Sequence, residues 1–233
     1  MKKLKTAKEA VKSIQDGDRV LVGGFGLCGT PFTMIDVISE QDLARNLTVV
    51  SNNLGEAGKG LGKLLLSGHL KKAVGSYFTS NRDAVAAWQR GELEIELVPQ
   101  GTLAEAIRAG GAGIAGFYTR TAVGTRLAEG KEEREFDGER YILIEGIRAE
   151  VAVIKAWKAD TMGNLMYSDT ACNFNPLMAT AADFVIAEVE EVVEAGKIRP
   201  EQIVTPHNYV DVVVRNERYE KRGGVYVEKE TSA

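Results

Sequence analysis

The 233-residue sequence has little cysteine, histidine or proline: 2 Cys, 2 His and 5 Pro. Cys28 and Cys172 form no CxxC pair, which argues against a disulfide framework and leaves both as small side chains expected to be buried. His69 and His207 have no ligand-spaced Cys or carboxylate nearby, so neither a metal site nor a Ser-His-Asp triad is expected, and each reads as a surface or structurally satisfied histidine. Long apolar runs are also missing. Lys2, Lys3, Lys5 and Lys8 precede no stretch of signal-peptide length, and nothing approaches a membrane span; a cytoplasmic or organelle-matrix protein without membrane association is expected. Nor is there surplus positive charge: 29 basic against 33 acidic residues leave a net charge of -4, which speaks against nucleic-acid binding. What is present, 44% hydrophobic and 27% charged residues, is enough for a substantial core, and the length fits one domain over residues 1–233.

Along the chain the apolar pattern alternates between strand and helix. Thr6-Ala7-Lys8-Glu9 has the form of a capping box and predicts a first helix to about Gln15. Val20-Leu21-Val22 reads as a buried strand, followed by glycines and then by Thr30-Pro31, a helix N-cap with proline at the first helical position. Leu47 to Val50 predicts a second strand, Leu61 to Leu66 a helix, Ala73-Val74-Gly75 the next strand and Asn81 the cap of a further helix. Glu94 to Val98 and a helix from Leu103 to Arg108 complete this half. Such alternation predicts an α/β fold: an open, mostly parallel sheet flanked by helices. The second half adds a glycine cluster at Gly110, Gly111, Gly113 and Gly116, open between a second anion-binding loop and a flexible turn, with an intersubunit contact as a further option. A β-hairpin is predicted around Asp137-Gly138, and Val151 to Ile154 and Phe184 to Ala187 look like central strands. From about Tyr219 the tail turns polar, which leaves open whether it frays or lies on a partner.

Gly24-x-Gly26-x-x-Gly29 satisfies the dinucleotide-binding pattern and sits between a strand and a helix, where that pattern belongs. Glycines let a backbone approach a ligand, and the following helix is expected to present free N–H groups and the positive end of its dipole. A dinucleotide site also needs an acidic residue at the end of the next strand. That strand ends in Ser51-Asn52-Asn53, so a nicotinamide cofactor is not expected.

The segment from Asp16 to Pro31, with Gly23-Gly24-Phe25-Gly26-Leu27-Cys28-Gly29 at its centre, resembles the signature of the family I CoA-transferases in their A (alpha) subunit. Ser51-Asn52-Asn53, Val98-Pro99-Gln100-Gly101-Thr102-Leu103, Arg108 to Gly113, Lys155 to Asp160 and Asn173-Phe174-Asn175 extend the resemblance to about Arg222. Gly26-Leu27-Cys28-Gly29 and the paired asparagines are most similar to the branch acting on succinyl-CoA and 3-oxoacids; acetate and butyrate transferases share most of these motifs.

The resemblance implies a ping-pong transfer of CoA between carboxylic acids in which a glutamate of the B subunit, in a Ser-Glu-Asn-Gly motif, is the nucleophile. This sequence contains no such tetrapeptide, and its candidate carboxylates, Glu56 and Glu105, read as surface residues. The chain is then expected to supply the rest of the site. Asn52 and Gln100, both after predicted parallel strands, carry amide N–H groups for an oxyanion and for positioning the acyl substrate. Gly23, Gly24, Phe25, Gly26, Leu27, Cys28 and Gly29 are expected to line the CoA thioester pocket. CoA enters as a substrate moiety, with no prosthetic group, and the implied partners are a B subunit in a heterodimer or heterotetramer, acyl-CoA and small carboxylic acids. A sugar-phosphate isomerase would need an acid/base pair near the glycine loops that cannot be assembled here. An effector-sensing module would normally carry a basic DNA-binding segment, which this sequence lacks.

Overall fold

In the computed structural model, which describes residues 3–222 and 225–229, the first half follows the alternation expected from the sequence. In order come β1 (Leu4–Lys5), α1 (Ala7–Ala10), β2 (Arg19–Val22), α2 (Phe32–Ser39), β3 (Leu47–Val50), α3 (Gly62–Leu66) and β4 (Leu70–Gly75). Then follow α4 (Arg82–Gln89), β5 (Glu94–Leu97) and α5 (Gln100–Gly111). A three-stranded antiparallel insert consists of β6 (Gly116–Thr119), β7 (Glu133–Phe136) and β8 (Glu139–Glu145). The chain returns through β9 (Ala149–Asp160), β10 (Leu165–Met166), α6 (Asn175–Thr180), β11 (Ala182–Val193) and β12 (Val212–Arg215), and a hairpin of β13 (Tyr219–Arg222) and β14 (Val225–Glu228) follows.

The main sheet has the order β1-β12-β11-β9-β2-β3-β4-β5, all parallel, with β10 added antiparallel to β9. Its inner strands β2, β3, β9 and β11 are largely apolar on both sides because both faces are covered there, whereas the outer strands β1 and β5 are mostly exposed. Alternate residues divide between the faces: Val20, Val22, Val49 and Ala73 pack with α1 to α4, whereas Leu21, Val50 and Val74 pack with α5 and α6. Parallel strands place their carboxyl ends on one edge of the sheet, so the loops after β2, β3, β4 and β5 lie together. Among the described residues no helix is long and apolar enough to cross a membrane.

Several local expectations change. The Thr6 capping box forms, with both the Thr6 and Glu9 side chains engaged, but α1 tightens into a 3-10 turn over Val11–Ser13 and does not run to Gln15. Thr30 does not cap α2; the cap position is Pro31, without a side-chain bond. The cap arrives from across the sheet: the buried Glu188 carboxylate of β11 accepts the Met34 N–H at 3.0 Å and pairs with the buried Lys155 Nζ at 3.3 Å. One N–H of the first turn of α2, that of Met34, is therefore taken by a carboxylate of the protein itself. Burial pushes the Glu188 carboxyl above the usual carboxylate range, against the pull of Lys155. Cys28 is exposed and Cys172 half-buried, contrary to the burial expected of both.

Of the glycine cluster, Gly110 and Gly111 close the last turn of α5, Gly113 stands in the turn that follows at φ +72° and Gly116 opens β6, so the cluster does not form one loop. A Cβ on Gly110 would sit 2.0 Å from the Ile147 carbonyl oxygen, and one on Gly111 would sit 2.3 Å from Thr180 Oγ1; both glycines serve close packing. The residues from Tyr219 onward, as far as described, form a hairpin. The rings of Tyr219 and Tyr226 lie 5.1 and 5.9 Å from that of Phe32 on α2. Residues 223–224 and 230–233 of the tail lie outside the described residues.

Gly110→Ala is expected to lower unfolding stability by about 1–3 kcal/mol, the usual penalty for forcing extra atoms into a packed contact. Denaturant melts check this; wild-type stability would remove the packing role.

Candidate active site

A cavity of about 390 Å³ opens at the carboxyl ends of the strands, between the glycine loop after β2 and the start of α5. Asn52 and Gln100, the two amide side chains singled out in the sequence, both line it. Of the glycine loop, Phe25, Gly26 and Leu27 reach the cavity, whereas Gly23, Gly24 and Gly29 are buried behind them and Cys28 lies exposed with Sγ 3.5 Å from Thr170 Oγ1.

The loop doubles back on itself. Phe25 and Cys28 exchange two backbone hydrogen bonds of 3.0 Å, leaving Gly26 and Leu27 as the tip. Gly26 has φ +62° and nothing within 4 Å of where a Cβ would stand, so the tip offers bare backbone to the cavity. The base of the loop is tightly held. Asn175, fully buried at the start of α6, donates from Nδ2 to the Gly29 and Ala171 carbonyls at 3.1 and 2.9 Å and accepts the Lys155 N–H at 2.8 Å. Asn173 donates to the Cys28 carbonyl at 3.1 Å. The asparagines of the Asn173-Phe174-Asn175 motif thus act as a backing for the glycine loop.

Asn52 ends the neighbouring strand. It is only 3% exposed, and its Nδ2 donates to Ser76 Oγ at 2.9 Å. Asn53, next along, accepts the Gly55 N–H at 2.9 Å and opens a second turn in which the Lys59 N–H meets the Glu56 carbonyl at 3.0 Å. Gln100 is the first residue of α5, which begins three residues earlier than the sequence pattern indicated, directly after Pro99. Glu56 also lines the cavity, exposed to solvent and within 3.5 Å of Lys59; Glu105 lies away from it, paired with Arg108 at 2.6 Å, which holds its carboxyl below the usual range. His69 is buried, bonded to Ser67 and the Gln41 carbonyl, and desolvation pushes its pKa down; it is a structural histidine.

The sequence reading missed Asn53, Gly55, Ser76 and Tyr77 as cavity residues. The signal was available in their positions just after β3 and β4, because open parallel sheets bind ligands at the carboxyl ends of their strands.

Gly23 has no room for a side chain, since a Cβ there would stand 1.7 Å from Asn175 Oδ1. Gly23→Ala is expected to cost about 3 kcal/mol, and Gly23→Ala with Asn175→Ala is expected to cost at least about 1 kcal/mol less than the two single changes combined. Denaturant melts of the four proteins check this; strict additivity would mean the two residues do not meet.

The coenzyme A transferase family profile matches residues 4–216. The A subunit of a probable succinyl-CoA:3-ketoacid coenzyme A transferase from Bacillus subtilis (strain 168) is 54% identical over 230 residues, covering 99% of this chain and 94% of that one. The human mitochondrial succinyl-CoA:3-ketoacid coenzyme A transferase 2 is 44% identical over 92% of this chain, which spans 45% of the human protein. In structure, an acyl-CoA transferase of Escherichia coli O157:H7, solved as a thioester complex with CoA, superposes with a TM-score of 0.85 at 21% identity, covering 96% of this chain and 51% of that one. The chain therefore belongs to the coenzyme A transferase family and is a CoA-transferase enzyme.

Proposed function

We propose that this chain is the A subunit of a succinyl-CoA:3-oxoacid CoA-transferase and that it completes its site with a B subunit. The observation that carries the reading is a cavity that brings the carboxamides of Asn52, Asn53 and Gln100 together and whose one carboxylate among the described residues, Glu56, is exposed and paired with Lys59. Such a cavity is equipped to stabilise a developing oxyanion and lacks a sheltered nucleophile of its own. Relatives that carry the A-subunit name, at 49–54% identity, support the same division of labour.

The chemistry follows. On the B subunit, one carboxylate attacks the thioester carbonyl of succinyl-CoA, and the CoA thiolate leaves a mixed anhydride of succinate and enzyme. The thiolate then attacks the enzyme-side carbonyl, releasing succinate and leaving CoA as an enzyme thioester. Acetoacetate attacks that thioester, and the same two steps run in reverse to give acetoacetyl-CoA and the free carboxylate. Each attack places negative charge on a carbonyl oxygen. Asn52, held at the end of β3, supplies an amide N–H to it, Gln100 positions the acyl group, and the loop tip at Phe25, Gly26 and Leu27 lies along the thioester.

The test is co-expression with a candidate B chain and measurement of acetoacetyl-CoA formation from succinyl-CoA. The complex is expected to be active and the isolated chain inactive, with the thioester trapped on the B chain; trapping it on Glu56 would overturn the reading. A preference for acetate or butyrate would overturn the substrate assignment while leaving the division of labour intact. In the complex, Asn52→Ala is expected to lower turnover by about 10² to 10³, the loss typical of one oxyanion donor. A loss of tenfold or less would remove Asn52 from that role.

A further inference from the structure

We propose that Ser76 is a positioning residue for Asn52: its hydroxyl fixes the carboxamide in the orientation that presents an N–H to the reacting carbonyl. The proposal deepens the reading of Asn52 as oxyanion donor and rests on it.

The two residues meet because of the glycine between them and the sheet. A Cβ on Gly75, the last residue of β4, would stand 2.5 Å from the Ser51 carbonyl oxygen and 3.2 Å from that of Asn52. Without a side chain there, the end of β4 presses against the end of β3. The N–H groups of Ser76 and Tyr77 then both donate to the Asn52 carbonyl, at 3.0 and 3.2 Å. Ser51, one residue back, donates from Oγ to the Val22 carbonyl at 2.8 Å and so ties the same strand end to the strand that opens into the glycine loop. The backbone of Asn52 is thereby fixed against both neighbouring strands, and what remains free is rotation of its side chain.

Ser76 removes that freedom. Its Oγ donates to the Asn52 carbonyl at 3.1 Å and accepts from Asn52 Nδ2 at 2.9 Å. A serine hydroxyl has one hydrogen. Because that hydrogen is spent on the backbone carbonyl, the hydroxyl is left only to accept from the side chain, and the amide group facing it must be the NH₂. This settles which way round the carboxamide lies. An amide carries two N–H bonds; Ser76 holds one, leaving the second as the donor for an oxyanion. A donor already oriented needs no reorganisation when charge develops, which is the source of its catalytic value. Ser76 itself is half-buried at the cavity wall, so deleting its hydroxyl opens no sealed hole, and the two backbone bonds to Asn52 remain.

The experiment is a double-mutant cycle in the assembled two-subunit complex, following kcat and KM for succinyl-CoA alongside thermal melts. Ser76→Ala is expected to lower kcat about tenfold, a fraction of the loss of the donor itself, with KM within about twofold and the melting temperature within about 4 °C of wild type. Ser76→Thr, which keeps the hydroxyl, is expected to restore most of kcat. In the Asn52→Ala background, Ser76→Ala is expected to change kcat no further, because the group it orients is gone.

Full activity of Ser76→Ala beside a hundredfold loss in Asn52→Ala would overturn the proposal and leave the oxyanion reading standing. An undiminished tenfold loss from Ser76→Ala in the Asn52→Ala background would also overturn it, showing that Ser76 acts on the substrate directly. If Asn52→Ala itself costs tenfold or less, the oxyanion reading falls and this proposal falls with it.

Discussion

The close seating of the glycine loop on Asn175 is the contact on which the cavity depends. A loop that offers bare backbone to a ligand gives up the side chains that would otherwise anchor it, so its carbonyls need partners from elsewhere. Asn175 supplies them: one buried carboxamide bonds Gly29, Ala171 and Lys155, joining the loop to the 169–175 segment and to β9. The same side chain fills the space beside Gly23, which is why a glycine is needed at that position and not only at the loop tip. With the base fixed, the two-residue reversal from Phe25 to Cys28 places Gly26 and Leu27 opposite Asn52 across one cavity.

Buried charge supports the other side of the loop. Glu188 and Lys155 form an ion pair beneath α2, and the Glu188 carboxylate also takes a backbone N–H from its first turn. A buried pair of this kind adds little net stability, because desolvation offsets attraction, but removing one member strands a charge. The pair links the first turn of α2 to β9 and β11. On the outer side of α2, Asp36 accepts from Lys63 at 2.6 Å and from the Tyr219 hydroxyl, while Tyr226 donates to Glu190. Burial and the Asp36 carboxylate push the Tyr219 phenol up to about 12, so it remains a neutral donor across the physiological range. The Tyr219 contact attaches the C-terminal hairpin to the helix that follows the glycine loop, and the Tyr226 contact attaches it to β11.

Much of the fold was legible from periodicity. Val20-Leu21-Val22 and Val151 to Ile154 are apolar on both sides, and such runs belong in a sheet covered on both faces. Asp137 and Gly138, at φ +51° and +78°, form the reversal that the dipeptide indicated. Two of the errors concern positions decided by a partner distant in sequence. Thr30 has the chemistry of a cap, but the cap is Glu188, which meets the Met34 N–H from 154 residues further along the chain. Gly110 and Gly111 look like loop glycines, yet they lie within a helix because Ile147 and Thr180 press against them. Cys28 lies on the outside of the loop reversal and is exposed for that reason.

The amino-acid order alone determined the strand and helix alternation, the parallel sheet and the family signature from Asp16 to Pro31, because these depend on local periodicity and on residues adjacent in the chain. It also marked Asn52 and Gln100, since each comes shortly after the end of a strand legible in the sequence. Only the tertiary structure decided that both line one cavity, that Ser76 grips the Asn52 amide and that Asn175 backs the loop. Those are contacts between strand ends and loops 24 to 146 residues apart, set by sheet order and by the space that Gly75 and Gly23 leave open.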